Sequence, residues 1–409
     1  MTPAADLPPP KALQAALRKT TETLAHELAQ PTESAPDWSD FEWLVARASA
    51  AIHGVSPLLC SRLRWRGPPG WTQFLEEQRA HTANRHQRIE ELLRLMDGRA
   101  RDEGIAAVAL KGAELHAIGL YAAGERPMAD VDLLVAARDM DRTSRMLESL
   151  GFQECFALWR HRVFAPIASH PPAGLGEHVN NNLKIEVHEL IGEQLPLRAV
   201  DVTSLIFPPT AHPGLNPYPS KAALMIHLLL HAAGAMACRA LRLLHLHDLA
   251  LLSSHLTATD WDEVLGHGAG DGARWWALPP LQLTARYYAI AIPARVFDSL
   301  APGCPWLLGR IAQRRTLSDV SLSYLWISAF PGIEWSQSVA DMLRYVVSRV
   351  RPGEDVATLR KDIARTEAWA SPSHWYRISQ GRRMLRWVTS RPTRDATMYT
   401  VRAALAQAQ

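Results

Sequence analysis

The sequence predicts an α+β protein, a small mixed sheet set between two helical stretches. Three observations carry this. Apolar residues recur at helical spacing from Pro10 to about Arg101, beginning with Leu13, Leu17 and Leu24. Near Gly104 the period changes, and short apolar runs of strand composition appear at 105–110, 130–135 and 182–190. After a proline-dotted linker at 207–219 the helical pattern returns. The expected division is an N-terminal helical segment at 1–100, an α/β core at 101–206 and a helical C-terminal domain at 217–409.

Taken in order, residues 1–10 read as disordered, and helices follow at 41–51 and 72–96, with a loop at 64–71. In the core, the run at 105–110 leads through Lys111-Gly112 into a helix at 113–121. A polar turn around Gly124-Glu125-Arg126-Pro127 precedes the strand at 130–135. A helix at 140–150 ends at Gly151, and the segment 166–182, rich in Pro, Gly and Asn, reads as a loop or hairpin before the strand at 182–190. In the C-terminal part, Ser220 is placed to cap a helix, and a second helix is expected to start at Asp260, with Glu263 completing an approximate capping box.

Composition narrows the function classes. Hydrophobic content of 47% and charged content of 21% are those of an ordinary globular chain. A net charge of +3 and a pI near 8.7, with no basic run, do not describe a polyanion-binding arm. Six of the 44 basic residues are lysines, so Lys111 and Lys184, both near acids, stand out. The four cysteines (Cys60, Cys155, Cys238, Cys304) are scattered without a C-x-x-C, which suggests a reducing compartment and no structural zinc site. No signal-peptide pattern opens the chain. The apolar segment 222–244 holds His227, His231, Arg239 and Arg242 and reads as a buried amphipathic helix, not a membrane span. A cytoplasmic location is expected.

The strand Asp130-Val131-Asp132-Leu133-Leu134-Val135 is the informative element. Side chains alternate between strand faces, so Asp130 and Asp132 lie side by side on one face and Val131, Leu133 and Val135 on the other. Two adjacent buried carboxylates without partners cost several kcal/mol or force one to keep its proton. A divalent metal removes that repulsion. In the strand at 182–190, Lys184, Glu186 and His188 share one face, which alternation alone would equally allow as a solvated edge. Joined to Asp130 and Asp132, Glu186 becomes a third carboxylate for a metal site.

The order Lys111-Gly112, Arg126, Asp130-x-Asp132-Leu133-Leu134-Val135, then Glu186-Val187-His188 resembles the DNA polymerase β-like nucleotidyltransferases. It is most similar to a branch of uncharacterised bacterial nucleotidyltransferases. The resemblance spans about residues 90–255 and takes in His231 and His247-Asp248-Leu249. It implies a polymerase β-like core and transfer of an NMP group from an NTP, with Mg2+ or Mn2+ as cofactor. Asp130 and Asp132 would bridge two metals, and Glu186 would hold the metal nearest the acceptor and help remove its proton. Two Mg2+ ions about 4 Å apart stabilise both the attacking and the leaving oxygen, and hard carboxylate oxygens are their ordinary ligands.

Lys111 and Gly112 stand where the wider superfamily has Gly-Ser, so the serine that contacts the triphosphate there is absent. Gly112 permits close backbone approach, and Lys111 offers a point charge to phosphate. Arg126 is either a phosphate clamp or a salt bridge holding the Asp-x-Asp strand. Lys184 and His188 complete the expected nucleotide-binding set. A zinc site can be drawn from His227, His231, His245 and His247, but hydrogen-bonded helical-core histidines account for them better. His231 and Asp248 would brace the C-terminal helices against the cleft. Arg160 and His161 would reach the substrate. Glu186, where Asp is commoner, lengthens the third acid's reach.

The expected enzyme is a nucleotidyltransferase whose partners are an NTP and an acceptor, with a small metabolite or a biosynthetic peptide favoured. A long nucleic acid is disfavoured, a tRNA end less so. Two alternatives come from other classes: a toxin-like nucleotidyltransferase acting on tRNA or protein, and a non-catalytic nucleotide-binding or scaffold protein of the same fold.

Overall fold

The structure is a computed structural model. It describes residues 7–157, 161–168, 175–266, 274–289, 292–366, 370 and 374–406. Arg160, residues 1–6 and residues 169–174 of the 166–182 loop therefore lie outside the described residues. The chain opens with α1 (Pro10–Ala29), α2 (Asp40–Ile52), α3 (Ser56–Arg62) and α4 (Pro69–Asp102). Ser39 and Glu42 start α2 with a reciprocal capping box. At 34 residues, α4 is about 51 Å long at 1.5 Å per residue. It takes in Pro69, Gly70 and Trp71, the end of the segment expected as a loop, because proline is tolerated in a first helical turn.

The core follows as β1 (Ala106–Ala109), α5 (Gly112–Ala117), β2 (Asp130–Val135), α6 (Met140–Ser149), β3 (Phe152–Ala157), β4 (His161–Pro166) and β5 (Lys184–His188). After it come β6 (Gly192–Leu195), β7 (Arg198–Asp201), α7 (Thr203–Ile206), β8 (Gly214–Asn216), α8 (Lys221–Ala237) and α9 (Leu243–Ser253). Two more helices, α10 (Ala258–Leu265) and α11 (Leu278–Tyr287), precede shorter helices that continue to Ala406. Six strands form one mixed sheet in the order β3-β4-β5-β2-β1-β8, and β6 and β7 pair as a separate hairpin. β2 runs parallel to β5 and antiparallel to β1.

Alternation along β2 sorts its side chains between two apolar clusters. Val131, Leu133 and Val135 join Ile185 and Val187 of β5, Phe164 of β4, Met146 and Leu147 of α6, and Ile89 and Met96 of α4. Leu134, with Val108 and Leu110, joins the larger cluster on the opposite face, built from α1, α2, α8, α9 and α11. Asp130 and Asp132 share that second face, so both acids look toward the helices. Helices from both ends of the sequence meet in this larger cluster, which runs from Leu13 to Ala404.

Four features depart from expectation. The hairpin β3–β4 and strand β8 fill segments in which no strand was expected, because neither alternates strongly; β8 is three residues long and pairs with β1. The apolar run 222–244 is not one helix. It breaks after Ala237, where Arg239 adopts φ 55°, a left-handed turn that starts a new direction. α10 begins two residues earlier than expected, since the reciprocal cap pairs Thr257 with Asp260 rather than Asp260 with Glu263. Ser220 caps α8 as expected, accepting from the amide of Ala223. No single helix among the described residues is long and apolar enough to cross a membrane.

Candidate active site

Parallel pairing of β2 with β5 puts Asp130 opposite Lys184, Asp132 opposite Glu186 and Leu134 opposite His188. Antiparallel pairing of β4 then sets His161 beside His188. Acids far apart in sequence thus reach one sheet face by register alone. Ligand atoms of Asp132, Glu186 and His188 lie within 4.8 Å of one another, and this is the group able to hold a metal ion among the described residues. Asp130 lies two residues before Asp132 on the same face but outside that group. His188 donates from Nε2 to Asp132 Oδ1 at 3.0 Å.

The two aspartates differ sharply. Burial would raise Asp132, but Lys111 and His188 outweigh it and hold this carboxyl well below the usual range. Burial, then Asp132, pushes Asp130 upward. Glu186 is pushed up to about 8 by burial, then Asp132 and Asp130. Lys111 Nζ stands 3.1 Å from Asp132 Oδ2. Burial pulls this ammonium down, yet Asp132, Asp130 and Glu186 together leave it raised. Two carboxylates and an imidazole crowded on one sheet face form a donor set that fits a divalent metal.

Lys111 has φ 48° and ψ −109°, a strained backbone for a residue with a Cβ. Its amide donates to Tyr218 Oη at 3.2 Å, and the amide of Ala113 is taken by the Leu110 carbonyl. With α5 only six residues long, two amides at its start, those of Lys111 and Ala113, are thus already hydrogen-bonded. At Gly112 a Cβ would fall 2.3 Å from Arg126 Nη1 and 2.9 Å from the Met128 side chain, so any side chain would displace the arginine.

Arg126 is buried, and its Nε and Nη2 bond both oxygens of Asp248 on α9 at 2.9 and 2.8 Å. Tyr121 donates to the same carboxylate at 2.6 Å. Of the two roles expected for Arg126, this is the salt-bridge geometry, and it joins the turn before β2 to the helical side. Lys184 heads β5 beside Asp130. His227 accepts from Tyr218 at 2.7 Å, His231 faces Glu193 at 3.7 Å and His247 pairs with Tyr288 at 3.1 Å. The ring of His245 packs on that of His231.

A cavity of about 430 Å³ lies between this sheet face and the helices. Lys111, Gly112, Arg126, Asp130, Asp132 and Arg242 line it. A smaller one of about 190 Å³ flanks Glu186, His161 and His188, and the two share Lys111, Glu193 and His231. One further residue holds the acids in place and was not singled out in the sequence. Arg85 of α4 is buried and donates to the carbonyls of Met128, Ala129, Asn181 and Asn182 at 2.6 to 3.0 Å. These carbonyls lead directly into β2 and β5. An arginine among the many of α4 carries no local signal of this, since its hydrogen-bond partners are backbone oxygens about 45 and 95 residues away, with the Glu177 carboxylate 3.6 Å off.

Residues 39–288, more than half of the chain, match the family described as uncharacterised nucleotidyltransferase. The chain belongs to this nucleotidyltransferase family. The matched region contains the whole six-stranded sheet and the helices α8, α9 and α11 that face it. It reaches well beyond the residues 90–255 on which the sequence motifs rest. No curated protein and no solved structure matches the chain.

Proposed function

We propose that this nucleotidyltransferase moves an NMP group from an NTP to an acceptor in the cleft between the sheet and α8–α9, on a polymerase β-like core. The observation that carries the reading is the β2–β5 register, which sets Asp132 against Glu186 on the cleft face beside Asp130. An acceptor oxygen forms a bond to the α-phosphorus as the bond to the bridging oxygen breaks, and pyrophosphate leaves with the electron pair. Glu186, on the acceptor side of the aspartates, is suited to take the acceptor's proton. Mg2+ or Mn2+ held by Asp130, Asp132 and Glu186, with His188 at the margin, would supply charge neutralisation at the reacting phosphate. Lys111 and the Arg126 Nη1 edge of the cleft are suited to orient the phosphates. The small cavity on the Glu186 side would receive the acceptor's reacting group. A biosynthetic metabolite or peptide fits this cleft better than a long nucleic acid.

A second reading, a non-catalytic nucleotide-binding protein, draws on Lys111, whose ammonium sits against Asp132 as a built-in cation. Calorimetric titration of each NTP with and without Mg2+, followed by labelled-NTP transfer to native cell extract, separates them. Mg2+-dependent NTP binding with labelled product supports transfer. Metal-independent binding without product leaves the scaffold.

A further inference from the structure

Residues 339–409 hold thirteen Lys or Arg against six Asp or Glu, a net +7, so the rest of a chain that totals +3 is net −4. This segment lies wholly beyond residues 39–288, which match the family. Two of its helices repeat one pattern. Along the helix Val339–Val350, Val339, Leu343 and Val347 stand four apart in one row, each at least 60% exposed. Arg344 and Arg351, seven apart and both exposed, follow beside that row. On the helix Gln380–Thr389, Leu385 and Val388 are 63% and 87% exposed, next to the exposed Arg382 and Arg386. Asp341 offsets Arg344 at 3.1 Å, but the second helix contains no acid. Its inner side is fixed, since the buried Arg383 donates to the carbonyls of Trp375 and Tyr376 at 3.0 and 2.9 Å. The two helices touch. Gln380 donates to the Arg349 carbonyl at 2.8 Å, and the Arg349 guanidinium lies 5.7 Å from the centre of the Trp387 ring.

We propose that these two helices seat the protein on a membrane whose surface carries anionic lipid. Exposed Leu and Val in rows have no hydrogen bond to make and gain only by leaving water. The arginines beside them need not enter hydrocarbon, because their stems lie along it while the guanidinium groups stay at the level of the lipid phosphates. Charge selects the occupant. A second copy would set +7 against +7, and a nucleic acid would use the arginines but leave the valines and leucines in water. An anionic bilayer takes both, the apolar rows at the acyl boundary and the arginines among the headgroups. Helices outside the shared family region thereby place this chain's cleft at a membrane surface. Binding there does not depend on what the cleft transfers.

The test is flotation of the full chain with vesicles of phosphatidylcholine alone and of equal parts phosphatidylcholine and phosphatidylglycerol. The protein should bind the mixed vesicles and not the neutral ones, and added salt should weaken it. Leu343→Ser and Val388→Ser should each weaken binding roughly tenfold, the scale of one apolar side chain returned to water. Arg382→Gln and Arg386→Gln should each weaken it roughly fivefold, with a shallower salt dependence. Arg138→Gln, exposed beside the sheet, should change nothing and controls for general loss of charge. All five positions are exposed, so the variants should keep the wild type's thermal midpoint. No binding to the mixed vesicles, or equal binding to the neutral ones, would overturn the assignment. Full binding by both Leu343→Ser and Val388→Ser would reassign the arginines to a soluble polyanion. A dimer in sedimentation that Leu343→Ser dissolves would give the face to a second copy instead.

Discussion

His53 makes the protein's stability depend on pH in a way that can be worked from its contacts. It lies at the C-terminal end of α2, where the N-terminal helices meet the later ones. Its Nδ1 accepts from the amide of Leu243 at 3.0 Å, and its Nε2 bonds Ser323 Oγ at 2.9 Å. The ring is 1% exposed. Burial, then Arg242, lowers its pKa to about 3. Protonating Nδ1 would also turn its acceptor into a donor facing an N–H. The folded value lies below the unfolded one of about 6.5, so between them the unfolded chain binds a proton that the folded chain refuses. Stability from this ring is complete above pH 6.5 and is lost as pH falls toward 3. At pH 5 the loss is about 2 kcal/mol, and it barely depends on where below 4 the folded value lies, since the folded ring is neutral either way.

His53→Asn isolates the effect. The amide oxygen takes the place of Nδ1, so the Leu243 amide keeps an acceptor, while nothing titrates. Urea unfolding of both proteins at pH 7.5 and 5.0 gives four free energies. The variant should start lower at pH 7.5 by about 1–2 kcal/mol, having lost the Ser323 contact and some packing. Between the two pH values, the wild type should then fall about 2 kcal/mol further than the variant. Other buried histidines, such as His116 and His247, contribute to both proteins and cancel. Parallel losses in the two proteins would refute the reasoning.

Four other outcomes follow from the site. Asp130→Asn and Asp132→Asn should both abolish transfer, but their thermal midpoints should move in opposite directions. Asp130→Asn should raise the midpoint by relieving a carboxyl already pushed upward, and Asp132→Asn should lower it by removing the partner of Lys111 and His188; equal shifts in a thermal melt would contradict this. Lys111→Ala should leave three acids uncompensated, so Mg2+ should raise its midpoint more than it raises the wild type's, and a smaller rise would speak against the metal site. Arg85→Gln should cost about 3 kcal/mol or more in urea unfolding, because buried carbonyls on two strand entries lose their donor. Asp248→Asn should cost about 3–5 kcal/mol by leaving Arg126 buried and unpaired, whereas a cost below about 1 kcal/mol would mean that water reaches the pair.

How much of this was legible in the sequence depends on the range of the interaction. The Asp-x-Asp strand and the Lys184-Glu186-His188 face follow from alternation, a property of adjacent residues, and so does the helix cap at Ser220. Their meeting does not. It depends on β2 lying parallel to β5, a register that no local pattern encodes. The role of Arg126 turned on Asp248, 122 residues away, and that of Arg85 on carbonyls, which have no sequence signature. His188 was readable as a polar residue on the right face, but its bond to Asp132 needed the fold. The hairpin β3–β4 was missed because Gln153, Glu154 and Cys155 run exposed on a sheet edge and obscure the alternation that marks a half-buried strand.

The strained turn at Lys111 shows why the sheet alone would not make this cleft. A non-glycine residue at φ 48° and ψ −109° costs on the order of 1–3 kcal/mol and persists only where its surroundings enforce it. Here its amide is held by Tyr218 Oη, whose proton goes to His227 Nδ1 on α8 at 2.7 Å. Burial, then Lys111 itself, holds His227 well below the usual histidine range, so it stays a neutral acceptor. The helical side thus fixes the backbone of Lys111, and Lys111 in turn fixes the charge on Asp132. Tyr218→Phe removes a single oxygen from this relay. If the relay sets the acid face, that variant should retain the fold yet shift divalent-metal affinity measured by calorimetry. An unchanged affinity would leave Lys111 strained for reasons unconnected with the site.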